Sequence, residues 1–464
     1  FRNMKNFCLI LSLFFTGSIV GQYDIENEAK LESASLTYYA KNITTGEVIS
    51  TFQESKCLAP ASVLKLFSTS TALNTLGSQY RFSSIIYLEG EISNNVLKGS
   101  LIIDPNYNAS LGSTRLKMDI SQFSATLKRV LDSLNIKTIT GNVKVLSAVS
   151  NPSTIPRTWI WEDIGNYFGA SSSTILDENI YKLYLSSAGT GSKSKVVKSI
   201  PSLPWITFKN NVLASNINRD LAYCFSRPGD QEVSLEGSIP ANRKSFLVKA
   251  AIPNPPLTVS YIVHKQLSDL GISILRGYQV VRELPENSKK ALVVQGATLA
   301  KVVRETNMNS INVWAEAVLN NAYRSSGSTA TDKMKWFKTV LGKSINTNGI
   351  RLFDACGLSR FNAVSSEQTV SLIASMKKGI HWKGFEKSLA TAGQTGTFKN
   401  LLKNTVLTGN LKGKSGYMNG VKSYAGIFTN AKDESIVFSI IVNNYTISNS
   451  AMKKMMERWM LSLY

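Results

Sequence analysis

Two apolar runs near the end of the chain leave it little freedom. Lys422 to Thr429 and Ser435 to Asn443 are each strand-length, only the turn residues Asn430 to Asp433 separate them, and Ser448 to Leu463 follows with helical spacing of apolar residues. Runs that close pair as antiparallel neighbours in one sheet, and the amphipathic segment reads as a closing helix. The C-terminal portion before them alternates helix and strand.

The same period arguments organise the rest. Ser35 to Tyr39 and Glu47 to Phe52 read as short strands around a turn at Asn42 to Gly46, and Ser62 to Leu76 reads as a helix stopped by Gly77. Strand-like segments recur between Arg81 and Val145, with turn residues at Asn94-Asn95 and Asp104-Pro105-Asn106. From Tyr181 to about Pro255 the short β-type runs and turn residues suggest a small all-β unit. Helical periodicity returns at Leu257 to Leu270 and at Ser310 to Tyr323. A chain of 464 residues with 43% hydrophobic content has room for about three domains.

Residues 4–21 have the order of an export leader: Met4-Lys5-Asn6, the apolar run Phe7 to Phe15, then Thr16-Gly17-Ser18. On that reading Phe1-Arg2-Asn3 precede the true start. Nothing later approaches the roughly 20 apolar residues that span a bilayer, and Cys8 lies inside the apolar run, away from the cleavage end. The expected mature protein is soluble, periplasmic in a Gram-negative source and otherwise extracytoplasmic. Of four cysteines, Cys57, Cys224 and Cys356 remain after the leader, so no full disulfide framework is implied. The formal net charge is +21, of which the residues up to the end of the leader carry only Arg2 and Lys5. Such a surface suits an anionic partner or plain solubility. The charge is spread rather than clustered, which disfavours nucleic acid.

Histidine is scarce, and that narrows the chemistry. His264 and His381 have no ligand-spaced companion, which excludes a zinc peptidase, and no Gly-x-Ser-x-Gly elbow accompanies them. Gly409 to Ser415 has three residues between its glycines where a phosphate loop needs four. No metal or cofactor is expected. What remains is a serine activated without histidine. Ser62 stands at a helix start and Lys65 follows three positions later on the same face. A lysine amine can take the serine proton only when neutral, so desolvation or a second cation must lower its pKa from about 10.4. Ser310-Ile311-Asn312 precedes a helix and offers a hydroxyl and an amide. Lys414-Ser415-Gly416 lies on a strand and offers a cation for a carboxylate, with a glycine that admits a close backbone.

Alone, each of these groups is an ordinary helix start or strand end. In the order Ser-x-x-Lys, Ser-x-Asn, Lys-Ser-Gly, they resemble the penicillin-recognising serine enzymes. The chain is further similar to the low-molecular-mass penicillin-binding proteins of class C type, D-alanyl-D-alanine carboxypeptidase/endopeptidases with inserted domains. The likeness includes Trp161 to Tyr167, Asp177-Glu178-Asn179, Gly237 to Pro240, Asp354 to Arg360 and Gly393 to Thr397. The 248 positions between Ser62 and Ser310 match that insertion. Cys356 stands where the family usually has a small hydroxyl residue, Tyr417 where Thr is usual, and Gly99 to Gly112 is poorer in glycine. Cys356 reads as a buried small residue rather than a reactive thiol.

The resemblance implies an α/β fold, a β-lactamase/transpeptidase-like domain of antiparallel sheet flanked by helices, with nested insertions. It places the catalytic domain in 22–88 and 286–464, an inserted domain in 89–180 and 256–285, and a small β-rich domain in 181–255. It makes Ser62 the nucleophile and Lys65 the base, with Ser310 and Asn312 assisting and the backbone N–H groups of Ser62 and Tyr417 as the oxyanion hole. Lys414, Ser415 and Gly416 would receive the terminal carboxylate. Asp163, Arg360 and Met418 are candidates for the stem-peptide side chain. The implied partners are peptidoglycan stem peptides and β-lactam antibiotics as covalent inhibitors. The alternatives are a β-lactamase or serine esterase of the same fold, and a non-hydrolytic cell-wall-binding receptor.

Overall fold

The computed structural model describes residues 23–147, 155–167 and 173–464. The export-leader reading of residues 4–21 lies outside them. No helix among the described residues is long and apolar enough to cross a membrane.

The C-terminal hairpin forms as expected and sits in the middle of a six-stranded antiparallel sheet. The order is Ala390–Thr391, Lys412–Met418, Val421–Thr429, Ser435–Asn443, Ser35–Asn42, Val48–Phe52. Chain ends far apart in sequence therefore meet edge to edge, Ser35 opposite Asn443 and Asn42 opposite Ile436. Strand Ser435–Asn443 is apolar at almost every position because both faces are covered. Val437 and Ile441 face one core, with Leu64, Phe67, Trp314 and Val318 from the helices on that side. Ile436, Phe438, Ile440 and Val442 face the other, with Met452, Met456 and Trp459 of the closing helix Asn449–Ser462.

The helix after the first two strands begins as a 3-10 turn, Ala61–Val63, and continues as Leu64–Leu76 until Gly77 turns it off with a positive φ of 76°. Ala61 itself has φ 46°. A left-handed residue with a Cβ is strained, so the turn that presents Ser62 is held by its surroundings and not by local preference.

Between the two parts of this body runs the insertion. Strands Arg81–Glu89 and Ser288–Thr298 pair antiparallel along their length, Glu89 opposite Ser288 and Arg81 opposite Thr298. They form one side of a five-stranded sheet completed by Leu101–Asp104, Asn142–Leu146 and Gly277–Val281. The ribbon is thus the double crossing into the insertion, and the boundaries read at 88/89 and 285/286 fall at its far end. Residues 180–251 hold two further sheets, one of three strands and one of four. The helix Pro255–Asp269 follows, N-capped by Asn254, whose side chain accepts from Leu257 N–H.

Candidate active site

Three segments remote in sequence meet at Ser62. Helix Asn312–Ser325 packs along the Ser62 helix, and strand Lys412–Met418 runs against the Ala61–Val63 turn. Gly416 is needed at that crossing for a reason the sequence does not reveal. A Cβ there would stand 2.2 Å from Ser423 Oγ and 2.5 Å from Pro60 O, so its missing side chain admits the protein's own turn before Ser62. Ser423 Oγ donates to Pro60 O at 2.6 Å and ties that turn to the neighbouring strand. Gly357 makes the corresponding close approach from the other side, where a Cβ would overlap Ala61 O.

Lys65 is fully buried, and its amine has three partners. Nζ lies 2.9 Å from Ser62 Oγ, 2.6 Å from Asn312 Oδ1 and 2.7 Å from the Cys356 carbonyl. The two carbonyl oxygens can only accept, so each takes an N–H of the amine. A neutral amine has then spent both hydrogens, and its lone pair is left for the Ser62 hydroxyl. Burial pushes the Lys65 pKa below the usual lysine range, with the nearby acidic groups of Asp354 and Glu316 working the other way.

Ser310 lies between two helices, Leu299–Asn309 and Asn312–Ser325, in the left-handed conformation with φ 61°. The helix read as starting at Ser310 therefore starts at Asn312, because the left-handed residue breaks the ladder. That break turns the Ser310 hydroxyl towards strand Lys412–Met418, where Lys414 Nζ donates to it at 2.9 Å and to the Ser415 carbonyl at 2.8 Å. Lys414 is also fully buried. Burial first, and the charge of Lys65 second, push its pKa well below the ordinary value.

The loop behind Lys65, part of the Asp354 to Arg360 stretch noted for its likeness, carries no role that the sequence assigns, yet it fixes the Lys65 amine. Asp354 is wholly buried and accepts four hydrogen bonds: from Gly357 N–H (2.7 Å), Ser359 N–H (2.6 Å), Asn362 Nδ2 (2.9 Å) and Trp159 Nε1 (2.8 Å). Glu316 accepts from Ala355 N–H at 2.6 Å and faces Lys333 Nζ at 3.4 Å. Together they clamp the backbone on both sides of Cys356, whose carbonyl holds the lysine. Ligand atoms of Glu316, Asp354 and Cys356 come within 4.8 Å of one another. The carboxylate oxygens are committed to N–H donors, which suits a backbone anchor better than a metal. Burial raises the Cys356 thiol well above its usual pKa. Its side chain packs with Trp159 and Ala315, so it occupies the place of a small apolar residue.

The remaining candidates stand around this seam. Tyr417 is more than half exposed, with Lys422 Nζ 5.3 Å from its ring centre. Met418 is buried beside Ala59, Ala61 and Val421. Arg360 donates to the Asn419 carbonyl at 2.9 Å. Asp163 sits in helix Trp161–Tyr167; burial raises its pKa and Arg360 lowers it, so the two side chains sense each other.

Comparison with known proteins gives the family and the fold. Residues 23–462 match the family described as D-Ala-D-Ala carboxypeptidase 3 (S13). The chain is 24% identical over 427 residues to D-alanyl-D-alanine carboxypeptidase DacB of Haemophilus influenzae, covering 89% of this chain and 86% of that one. It is 23% identical to penicillin-sensitive carboxypeptidase A of Dictyostelium discoideum, covering 88% and 82%. The crystal structure of penicillin binding protein 4 from Haemophilus influenzae matches with a TM-score of 0.79 at 21% identity, over 94% of this chain and 98% of that one. At that identity the likeness speaks for the fold, a penicillin-binding-protein type of α/β architecture.

Proposed function

The chain belongs to the D-Ala-D-Ala carboxypeptidase 3 (S13) family, and from that premise we propose that it cleaves peptidoglycan stem peptides through an acyl-enzyme on Ser62. It is a serine-type D-Ala-D-Ala carboxypeptidase, a hydrolase. The observation that carries the finer reading is the Lys65 amine, desolvated, with two carbonyls on its hydrogens and Ser62 Oγ at 2.9 Å.

In this mechanism Lys65 takes the Ser62 proton as Oγ attacks the carbonyl between the terminal D-alanines. The backbone N–H groups of Ser62 and Tyr417 receive the oxyanion. Asn312 orients both the amine and the substrate. The proton that Lys65 took from Ser62 reaches the leaving D-alanine nitrogen through the Ser310 hydroxyl, which gives up its own proton as it gains that one, so that Lys65 is neutral again for the attack of water. The terminal carboxylate lies against Lys414, Ser415 and Gly416, and its charge favours the protonated form of Lys414 that burial disfavours in the free enzyme. Water then releases the shortened peptide from Ser62. Asp163, Arg360 and Met418 contact the stem-peptide side chain. Such an enzyme works outside the cytoplasm, where its polymer is, and the leader-like residues 4–21 support that placement.

A β-lactam enters the same site, and the leaving nitrogen stays tethered to the acyl group, where it obstructs the approach of water. A solved relative, penicillin binding protein 4 from Haemophilus influenzae complexed with a novel beta-lactam, supports this part of the reading. Intact-mass analysis after incubation with penicillin tests it. Wild type should gain one drug and Ser62→Ala none. An undiminished adduct on the variant would move the nucleophile elsewhere.

A further inference from the structure

Helix Trp161–Tyr167 has one side on the catalytic body and the other on the four-stranded sheet of the nested unit. Towards the active site, Ile164 packs on the Trp159, Ala315 and Cys356 cluster. Towards the small sheet, Asn166 Oδ1 accepts from Cys224 N–H at 2.9 Å, and Gly165 lies so close that a Cβ would overlap Cys224 O. The helix is therefore wedged against strand Leu221–Phe225.

That strand pairs antiparallel with Glu232–Pro240, with Tyr223 opposite Glu236 and Phe225 opposite Ser234. Alternation puts Cys224, Val233 and Leu235 in the core and leaves Tyr223, Phe225, Glu232, Ser234 and Glu236 on the outer face. Trp161 joins this face from the helix. Its ring lies nearly parallel to Phe225, 14° apart with centroids at 6.2 Å, and Phe225 to Tyr223, 20° apart at 6.3 Å. Trp161 is 45% exposed and Tyr223 44%. Trp161, Phe225, Arg227, Asp230, Glu232, Ser234 and Glu236 line a cleft of about 560 Å³.

We propose that this face binds the glycan strand whose stem peptide occupies the Ser62 cleft, the pyranose rings lying on the Trp161, Phe225 and Tyr223 platform. The proposal rests on the peptidoglycan reading of the active site. The axial C–H face of a pyranose is apolar and stacks on an aromatic ring, while its hydroxyl and N-acetyl groups need polar partners at the rim. The platform has both: rings spaced on the scale of a sugar, and carboxylate and hydroxyl oxygens beside them. Three carboxyl groups, Asp230, Glu232 and Glu236, face one guanidinium, Arg227, whose carbon lies 5.3 Å from the Trp161 ring centre, and Glu232 is paired with Lys209. The cleft thus holds nearly balanced charge on a chain of formal charge +21 and offers little attraction to an anionic polymer. A neutral amidated sugar strand needs no such attraction. Asp163, two positions beyond Trp161, lies on the same helix, so a strand on the platform has its peptide substituent directed along that helix to the catalytic seam.

The experiment titrates the full chain with the neutral tetramer of β-1,4-linked N-acetylglucosamine, read by tryptophan fluorescence, in wild type, Phe225→Ser and Tyr223→Ser. Removing a ring should weaken binding about three- to ten-fold. Both variants should keep wild-type thermal midpoints, penicillin acylation and release of D-alanine from a soluble stem peptide, and should lose rate on insoluble peptidoglycan. Absence of saturable tetramer binding to wild type, or equal binding by all three proteins, overturns the proposal. So does tighter binding of trilysine than of the tetramer, which would make the cleft a cation site. Failure of wild type to release D-alanine from the soluble peptide would instead defeat the peptidase reading, and the tetramer titration reads the platform separately from it.

Discussion

Around Ser62 the polar groups are sunk into the protein: Lys65, Lys414, Asp354 and Glu316 are all buried, and each has at least two hydrogen-bonding or ionic partners. On the nested sheet the charged groups stand in water. Lys209 and Glu232 form an ion pair of 2.8 Å, yet 62% and 48% of their side chains remain exposed. Chemically similar groups therefore do different work. In the seam a low dielectric makes every proton position consequential; on the sheet, screening makes an individual charge nearly dispensable and leaves recognition to shape and ring surface.

The sharpest break of this contrast is Lys65→Ala. Loss of the base should slow penicillin acylation by about 10²–10⁴-fold. The change also leaves Asn312 Oδ1 and the Cys356 carbonyl without their N–H donors, at about 1–3 kcal/mol for a buried group left unpaired, partly offset by relief of a desolvated amine. Acylation rate and thermal midpoint measured on the same preparation separate the two effects. An acylation rate within a factor of two of wild type would remove Lys65 from the proposed role.

Asp354→Ala should be next. It strips partners from the N–H groups of Gly357, Ser359 and Trp159 in a buried setting, which by analogy with a broken buried ion network costs about 3–5 kcal/mol. Acylation should slow as well, because the Cys356 carbonyl is no longer held against Lys65. Denaturant unfolding gives the first number. Unchanged stability would show that this loop is not the anchor its hydrogen bonds indicate.

Of these groups, Ser62 and Lys65 were readable in the sequence by their chemistry, whereas Asp354 was marked only by resemblance and its anchoring role was not legible, for a definite reason. A helix start followed by a lysine one turn later is a local pattern, and so are the hairpin and its closing helix. Asp354 acts on backbone N–H groups, and the atom that holds Lys65 is a carbonyl that any residue at 356 would supply. The strain at Ala61 escaped for a related reason. Glycine marks a left-handed turn when local preference decides it, whereas here contacts from Gly357, Gly416 and Ser423, hundreds of positions away, impose it on alanine. Of the Arg81–Glu89 and Ser288–Thr298 ribbon, only the first strand lay in a stretch read as strand-like, and the pairing itself was not legible, because nothing local sets a pairing across the insertion.

Lys414→Met should move stability the opposite way. The folded-state pKa of Lys414 is lowered, so below the unfolded value of about 10.5 the native chain holds fewer protons than the unfolded one. Its penalty is absent above that pH, grows as pH falls, and levels off below the folded-state pKa. Methionine has no such penalty, so the variant should be more stable than wild type at neutral pH, by about 1–2 kcal/mol after losing the Ser310 bond. The gap should close as pH approaches 10.5. Carboxypeptidase activity should fall, with amidation of the last D-alanine hurting wild type far more than the variant. A destabilised variant at every pH would show that the buried amine is a net stabiliser.

The smallest effect should come from Lys209→Ala on the nested sheet. The pair with Glu232 is short, but both side chains are open to water, and exposed pairs contribute about 0.2–1 kcal/mol before salt screening. The residue sits on a strand parallel to Glu232–Pro240, with Lys209 opposite Ser234, so its removal leaves the strand pairing and the buried Val233 and Leu235 untouched. Thermal midpoint and penicillin acylation should match wild type at moderate salt. At low salt the lost pair should become just visible, because the Debye length then exceeds the separation of neighbouring charges. The carboxylate freed from Lys209 also lies on the rim of the Trp161 cleft. Neutral-tetramer binding should therefore hold or tighten slightly, whereas a large loss would mean that the cleft depends on charge and that the division between seam and sheet is drawn in the wrong place.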